Sequence, residues 1–139
     1  MSDSSSSSRR FNALPATECL ALLHSHTIGR VGWNTMDGPQ ILPVTYVLRD
    51  GSVIFRTSPY GALSELRNVR QVAFEVDEFD VAARTGWSVL VRGWAKAATN
   101  PDELAALWTE PDPIPWAPGA RTLFITVSTD QVSGRVITG

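Results

Sequence analysis

The chain has 139 residues, 43% of them hydrophobic, and a formal net charge of −2. That is enough for one domain burying about two-thirds of its unfolded surface, and too little positive charge for a nucleic-acid face. No apolar run reaches the roughly 18 residues of a membrane span, so no membrane partner is expected, and the single cysteine, Cys19, excludes an internal disulfide and fits a reducing cytoplasm.

Residues 1–12, "MSDSSSSSRRFN", have no apolar core behind their charges, so no secretory signal is expected there. The serine run buries too little to offset its ordering entropy, so 1–12 is expected to be a disordered tail and 13–139 a single domain. Residues 15–25 predict a short helix, with Pro15 in the first turn and Cys19, Leu20 and Leu23 on one face. Among those leucines Cys19 reads as a buried inert thiol rather than a nucleophile. Alternation over 28–34 predicts a strand, "TMDGPQ" a turn, and 41–50 the next strand. Asp50-Gly51 tolerates positive φ and predicts a hairpin into a strand at 53–57. A short helix at 62–68, a strand at 71–78 and a long strand at 87–98 follow. Asn100, Pro101 and Glu103 then form a helix start. A proline-rich loop at 109–120 leads into strands at 121–128 and 131–137. Six or seven strands with two or three small helices predict a mainly β fold, a closed or nearly closed antiparallel barrel with few sheet edges.

Four features bear on function. Arg56, Thr57 and Ser58 place three donors at a strand end before a helix start, either as an anion site or as ordinary caps of a turn. The long strand carries Trp87, Val89, Val91, Gly93 and Ala95 on one side and Ser88, Leu90, Arg92, Trp94 and Lys96 on the other. Large apolar groups on both faces predict a barrel strand whose outer face meets a second subunit; a single large core is the alternative. His24 and His26 lack a third ligand at suitable spacing, and a helix C-terminus welcomes histidine, so no metal is expected. Asp77, Glu78 and Asp80 read as a solvated bend. Glu75, opposite Phe74 and Val76 in its strand, needs a partner if buried, and Arg92 or Arg56 could supply it.

The segments "GRVGW", "ILPVTYVLRDGSVIFRTSP", "VAFEVDEFD", "GWSVLVRGWA", "PWAPGA" and "VSGRVI", in this order, resemble the pyridoxamine 5′-phosphate oxidase-like family of FMN-binding split barrels, in particular small bacterial flavoproteins similar to nitroimidazole reductases. The resemblance covers about residues 14–137. It implies a split β-barrel of antiparallel Greek-key type and an FMN site at the interface of a homodimer. Pro43, Val44, Thr45 and Tyr46 match the strand whose backbone runs along the flavin ring. Arg56, Thr57 and Ser58 match the segment nearing the ribityl chain and phosphate. Trp87 and Ser88 match the segment facing the cofactor across the dimer, while Trp116 would cover the ring and Arg135 would add charge near the phosphate. Ala62 departs from the pattern, because a lysine often stands there to pair the phosphate.

The resemblance implies an FMN-dependent oxidoreductase that takes reducing equivalents from a nicotinamide or deazaflavin donor and acts on a small organic substrate. No acid–base residue is singled out, because the flavin carries the electron chemistry. The alternative is a non-catalytic module holding a flavin, a deazaflavin coenzyme or haem. Pyridoxamine-phosphate oxidation itself is not expected, since "SGRVITG" lacks the basic, histidine-containing end that acts on substrate phosphate.

Overall fold

The computed structural model describes residues 10–109, 113–115 and 119–139. Its strands are β1 (Arg10–Ala13), β2 (Ile28–Thr35), β3 (Gly38–Arg49), β4 (Ser52–Thr57), β5 (Arg70–Asp80), β6 (Thr85–Ala97), β7 (Leu123–Ser128) and β8 (Gln131–Thr138). Helix α1 (Ala16–Ser25) precedes β2, a 3-10 helix (Ala62–Arg67) links β4 to β5, and α2 (Pro101–Thr109) follows β6.

The strands pair in the order β1-β8-β6-β5-β2-β3-β4-β7, and β7 returns to β6, closing a six-stranded antiparallel barrel. Within it β5-β2-β3-β4 has Greek-key order: three hairpin-linked strands, with the fourth returning beside the first. The expected split barrel is the fold found. Its closure depends on β6 changing neighbours. Gly86 to Arg92 pair with β8, whereas Ala95, Lys96 and Ala97 pair with β7. Gly93 stands at the change, where a Cβ would lie 1.8 Å from the Ser128 carbonyl oxygen. Only glycine admits so close an approach of backbone. The Ser128 hydroxyl accepts the neighbouring Trp94 N–H at 2.9 Å, which holds the turn against the strand.

Local signals are met where they are strong. Asp50 and Gly51 take φ of 51° and 78°, as the β3–β4 hairpin requires. The Asn100 side-chain oxygen accepts the N–H groups of Asp102 and Glu103 at 2.9 and 3.1 Å, capping α2. The tail boundary is corrected. Arg10–Ala13, three of whose residues were expected in the disordered tail, pair with β8 from Arg10↔Thr138 to Ala13↔Arg135. All four side chains are exposed, so no pattern marks the strand; it forms because β8 offers an open row of backbone groups.

Period-two alternation sends Val31, Val53, Phe55, Phe74, Val89, Val91, Ile125 and Val127 into the barrel. Helix α1 closes one end with Cys19 and Leu23, and burial raises the Cys19 thiol pKa. Helix α2 covers the outside of β4 and β7, where Leu107 packs with Ile54 and Phe124. Among the described residues no helix is long and apolar enough to cross a membrane.

Candidate functional site

The central stretch of β3 pairs with the start of β2, setting Ile28 opposite Thr45 and Arg30 opposite Pro43. On its other side β3 pairs with β4, which delivers Arg56 beside Thr45 on the outer face. These strands wall a cavity of about 360 Å³ lined by Ile28, Pro43, Val44, Thr45, Arg56, Leu63, Pro115 and Arg121. Apolar groups make most of the wall, and the two charged residues are both arginines.

Arg56 is fixed on several sides. Its Nε donates to the Arg121 carbonyl at 3.1 Å. Its guanidinium carbon lies 4.8 Å from the Trp108 ring centroid and 5.3 Å from that of Phe124. Stacking on two rings orients the planar fork while leaving its edge for an anion. The other two donors of the stretch have different tasks. Thr57 is buried at 1% exposure, on the inward side of β4. The Ser58 hydroxyl accepts the Tyr60 N–H at 3.2 Å and caps the turn. Parity decides this division, since successive residues of a strand face opposite sides.

The remaining expected site residues fall into three places. Pro43, Val44 and Thr45 line the cavity, but the Tyr46 side chain turns inward and its hydroxyl donates to the Leu23 carbonyl at 2.6 Å. Burial pushes the pKa of that phenol up, so it remains a neutral donor. Trp87, Ser88 and Arg135 form a separate group on β6 and β8, where Ser88 pairs with Arg135. None of the three lines the cavity of this chain. The Trp87 ring meets His26 edge-on at 4.8 Å, and the Arg135 guanidinium lies 5.5 Å from the Phe11 ring centroid. Trp116 lies outside the described residues.

Glu75 does need a partner, and the expected one is corrected. Arg30, not Arg92 or Arg56, approaches it at 3.4 Å and also reaches Asp77 at 3.7 Å. The β2–β5 ladder pairs Arg30 directly with Glu75. Burial, then a hydrogen bond and charge repulsion from Asp77, push Glu75 up to about 7, against the opposing pull of Arg30. His26 is held by the Leu22 carbonyl and Glu78, at 2.8 and 3.0 Å. Among the described residues no three His, Cys, Asp or Glu side chains gather where they could hold a metal.

Sequence reasoning missed Arg121, Ile28, Leu63 and Pro115. Arg121 lies two residues before β7, whose Leu123 and Phe124 pair with Thr57 and Arg56. The only signal for it is that long-range pairing.

A family model described as pyridoxamine 5′-phosphate oxidase matches residues 15–136. The chain is 32% identical over 133 residues to the uncharacterized protein Rv0080 of Mycobacterium tuberculosis, covering 92% of this chain and 86% of that one. The FAD binding protein from Mycobacterium smegmatis superposes with a TM-score of 0.76 at 30% identity, over 91% of this chain and 99% of its own. A FAD-binding protein from Mesorhizobium loti agrees in fold, with a TM-score of 0.74 at 23% identity over 94% and 99% of the two chains.

Proposed function

The chain belongs to the pyridoxamine 5′-phosphate oxidase family, and from that membership we propose that it is a flavin-dependent oxidoreductase holding FMN in the cavity between β3 and β4. The observation that carries this reading is the cavity lining: apolar walls for a planar ring, with arginines as the charged groups for a phosphate. The name of the Mycobacterium smegmatis relative supports a flavin, since FAD contains the FMN moiety.

When bound, the flavin supplies hydride and electron transfer. The chain's residues bind and orient. Ile28, Pro43, Val44 and Leu63 exclude water from the ring, and the stacked Arg56 fork holds the anionic end. The substrate is a small organic molecule, and the electron donor is a nicotinamide or a deazaflavin.

The working unit is a homodimer. This rests on the outer faces of β2, β3, β5 and β6, where Ile41 is 64% and Trp94 47% exposed around a groove of about 610 Å³. Across such an interface Trp87, Ser88 and Arg135 face the flavin held by the second copy.

The test is the visible spectrum of the purified protein, followed by titration with FMN and FAD. The two-band absorption of an oxidised flavin, or saturable binding of either, is expected. A protein that carries neither and binds neither overturns the reading.

A further inference from the structure

Most glycines inside the strands are required by the chain itself. A Cβ at Gly29 would lie 2.3 Å from the Phe74 ring, and one at Gly86 2.1 Å from that of Phe79. At Gly93 it would lie 1.8 Å from the Ser128 carbonyl oxygen, and at Gly134 2.7 Å from the Cys19 sulfur. Gly32, in the interior of β2, is different. A Cβ there would meet only the Gln40 carbonyl oxygen at 3.6 Å and the Ile41 side chain at 4.0 Å, both ordinary contacts. Its φ also lies outside the left-handed region. Glycine weakens a strand interior through its entropy and its missing side chain. One that no contact within the chain demands marks a close approach from outside.

The strand register makes Gly32 the floor of an outward hollow. Ile41, Gly32, Ala73 and Arg92 stand in one row across β3, β2, β5 and β6. All four face outward, so the row runs large, none, methyl, large. Trp94, 47% exposed, follows on the same face of β6, opposite Gln71. These residues line the groove of about 610 Å³ on the open face. We propose that the hollow over Gly32 and Ala73 receives Trp94 of a second copy, and that the reverse contact forms at the same time about a two-fold axis. The proposal rests on the homodimer reading above and adds the contact that sets how the two copies register. A two-fold interface must be self-complementary, each copy giving what the other takes. This face holds both halves, an exposed indole as the knob and a glycine–alanine floor as the hole. Its charged lining residues are Arg92 and Asp130, one of each sign, which suits an equally balanced surface better than a strongly charged partner. Tryptophan is also among the commonest anchors at the centre of an interface.

The experiment measures self-association of the full chain by sedimentation over a dilution series, for the parent, Gly32→Val, Trp94→Ala and the double variant. Gly32→Val fills the hollow and should weaken association at least about tenfold. At dilutions where only single chains remain, it should leave the thermal midpoint equal or higher, because a β-branched residue suits a strand and meets no clash. Trp94→Ala removes the knob and should weaken association by a similar factor. The double variant should associate no more weakly than Trp94→Ala alone, since both changes break one contact. Gly32→Ala, the milder substitution, should show a smaller loss in the same direction. If Gly32→Val lowers the midpoint of the single chain, the glycine serves the chain's own packing and the proposal fails. If it leaves association unchanged, the hollow takes another occupant or none, and the proposal fails while the homodimer reading survives. If the two losses multiply in the double variant, Trp94 does not enter the hollow, and the proposed pairing is overturned. A parent that stays a single chain at micromolar concentration overturns the homodimer reading itself.

Discussion

The barrel has two outer faces that began with the same composition problem and met it differently. Outside β4 and β7, Ile54 and Phe124 are 2% and 1% exposed because Leu107 of α2 lies over them. Among the described residues no helix is laid down outside β2, β3, β5 and β6, and Ile41, Trp94 and the Arg30–Glu75–Asp77 cluster stay at the surface. A strand buries one side by alternation alone; burial of its other side must come from another element. Among the described residues that element is supplied once. The covered face belongs to the stability of the single chain, and on the dimer reading proposed above the open face would serve assembly, so the two should respond to different perturbations.

The largest expected effect lies on the covered face. Leu107→Ala removes a side chain that is 2% exposed and leaves a cavity over Ile54 and Phe124. It should destabilise the protomer by about 2–4 kcal/mol, read as a lowered thermal midpoint. A loss below about 1 kcal/mol would mean that α2 is only lightly docked and that the faces differ less than described. On the open face Trp94→Glu should leave the unfolding of the protomer within about 0.5 kcal/mol of the parent, as for most surface changes. It should weaken self-association at least about tenfold by sedimentation, because a charge replaces an aromatic anchor. Unchanged association would remove this face from the interface.

The smallest effect is a pH dependence within the open face. Glu75 has its pKa raised to about 7 in the folded chain, so folding favours its protonated form. Its contribution is fully present below the unfolded value near 4.5 and is lost as pH rises through about 7. Glu75→Gln keeps the neutral form at every pH. It should therefore melt above the parent at about pH 8 and together with it at about pH 4. A constant offset across that range would show that the change acts through packing rather than through the proton.

What was legible in the sequence was local. Asp50-Gly51 needs only its own φ preference, Asn100 only the next three residues, and the alternation from Val89 to Lys96 only its own period. The family order of segments carried the closed barrel. What was not legible depends on which strands meet. Glu75 meets Arg30 because β2 lies beside β5, although 45 residues separate them along the chain. Arg121 reaches the cavity only through the β4–β7 ladder. Thr57 shows a third kind of miss: its hydroxyl has the right chemistry, but the parity of β4 turns it inward beside an outward Arg56. And β1 is a strand with no inward side chain at all, visible only once β8 is in place.

The change of partner at Gly93 has a dynamic consequence. β6 and β7 pair over Ala95, Lys96 and Ala97, with one further bond from the Ala98 N–H to the Phe124 carbonyl, whereas β5 and β6 are zipped from Arg70 to Asp80. A short ladder opens more readily than a long one, since fewer cross-strand bonds must break together, and β2–β5, also of three pairs, is as short. Gly93 adds no side chain to resist the opening, and the turn after β7 lies against it through the Ser128 carbonyl and hydroxyl. The β6–β7 seam is therefore one of two places where the ring is expected to open first. Loosening there would leave the strand that carries Phe124, one of the two rings that aim Arg56, held by β4.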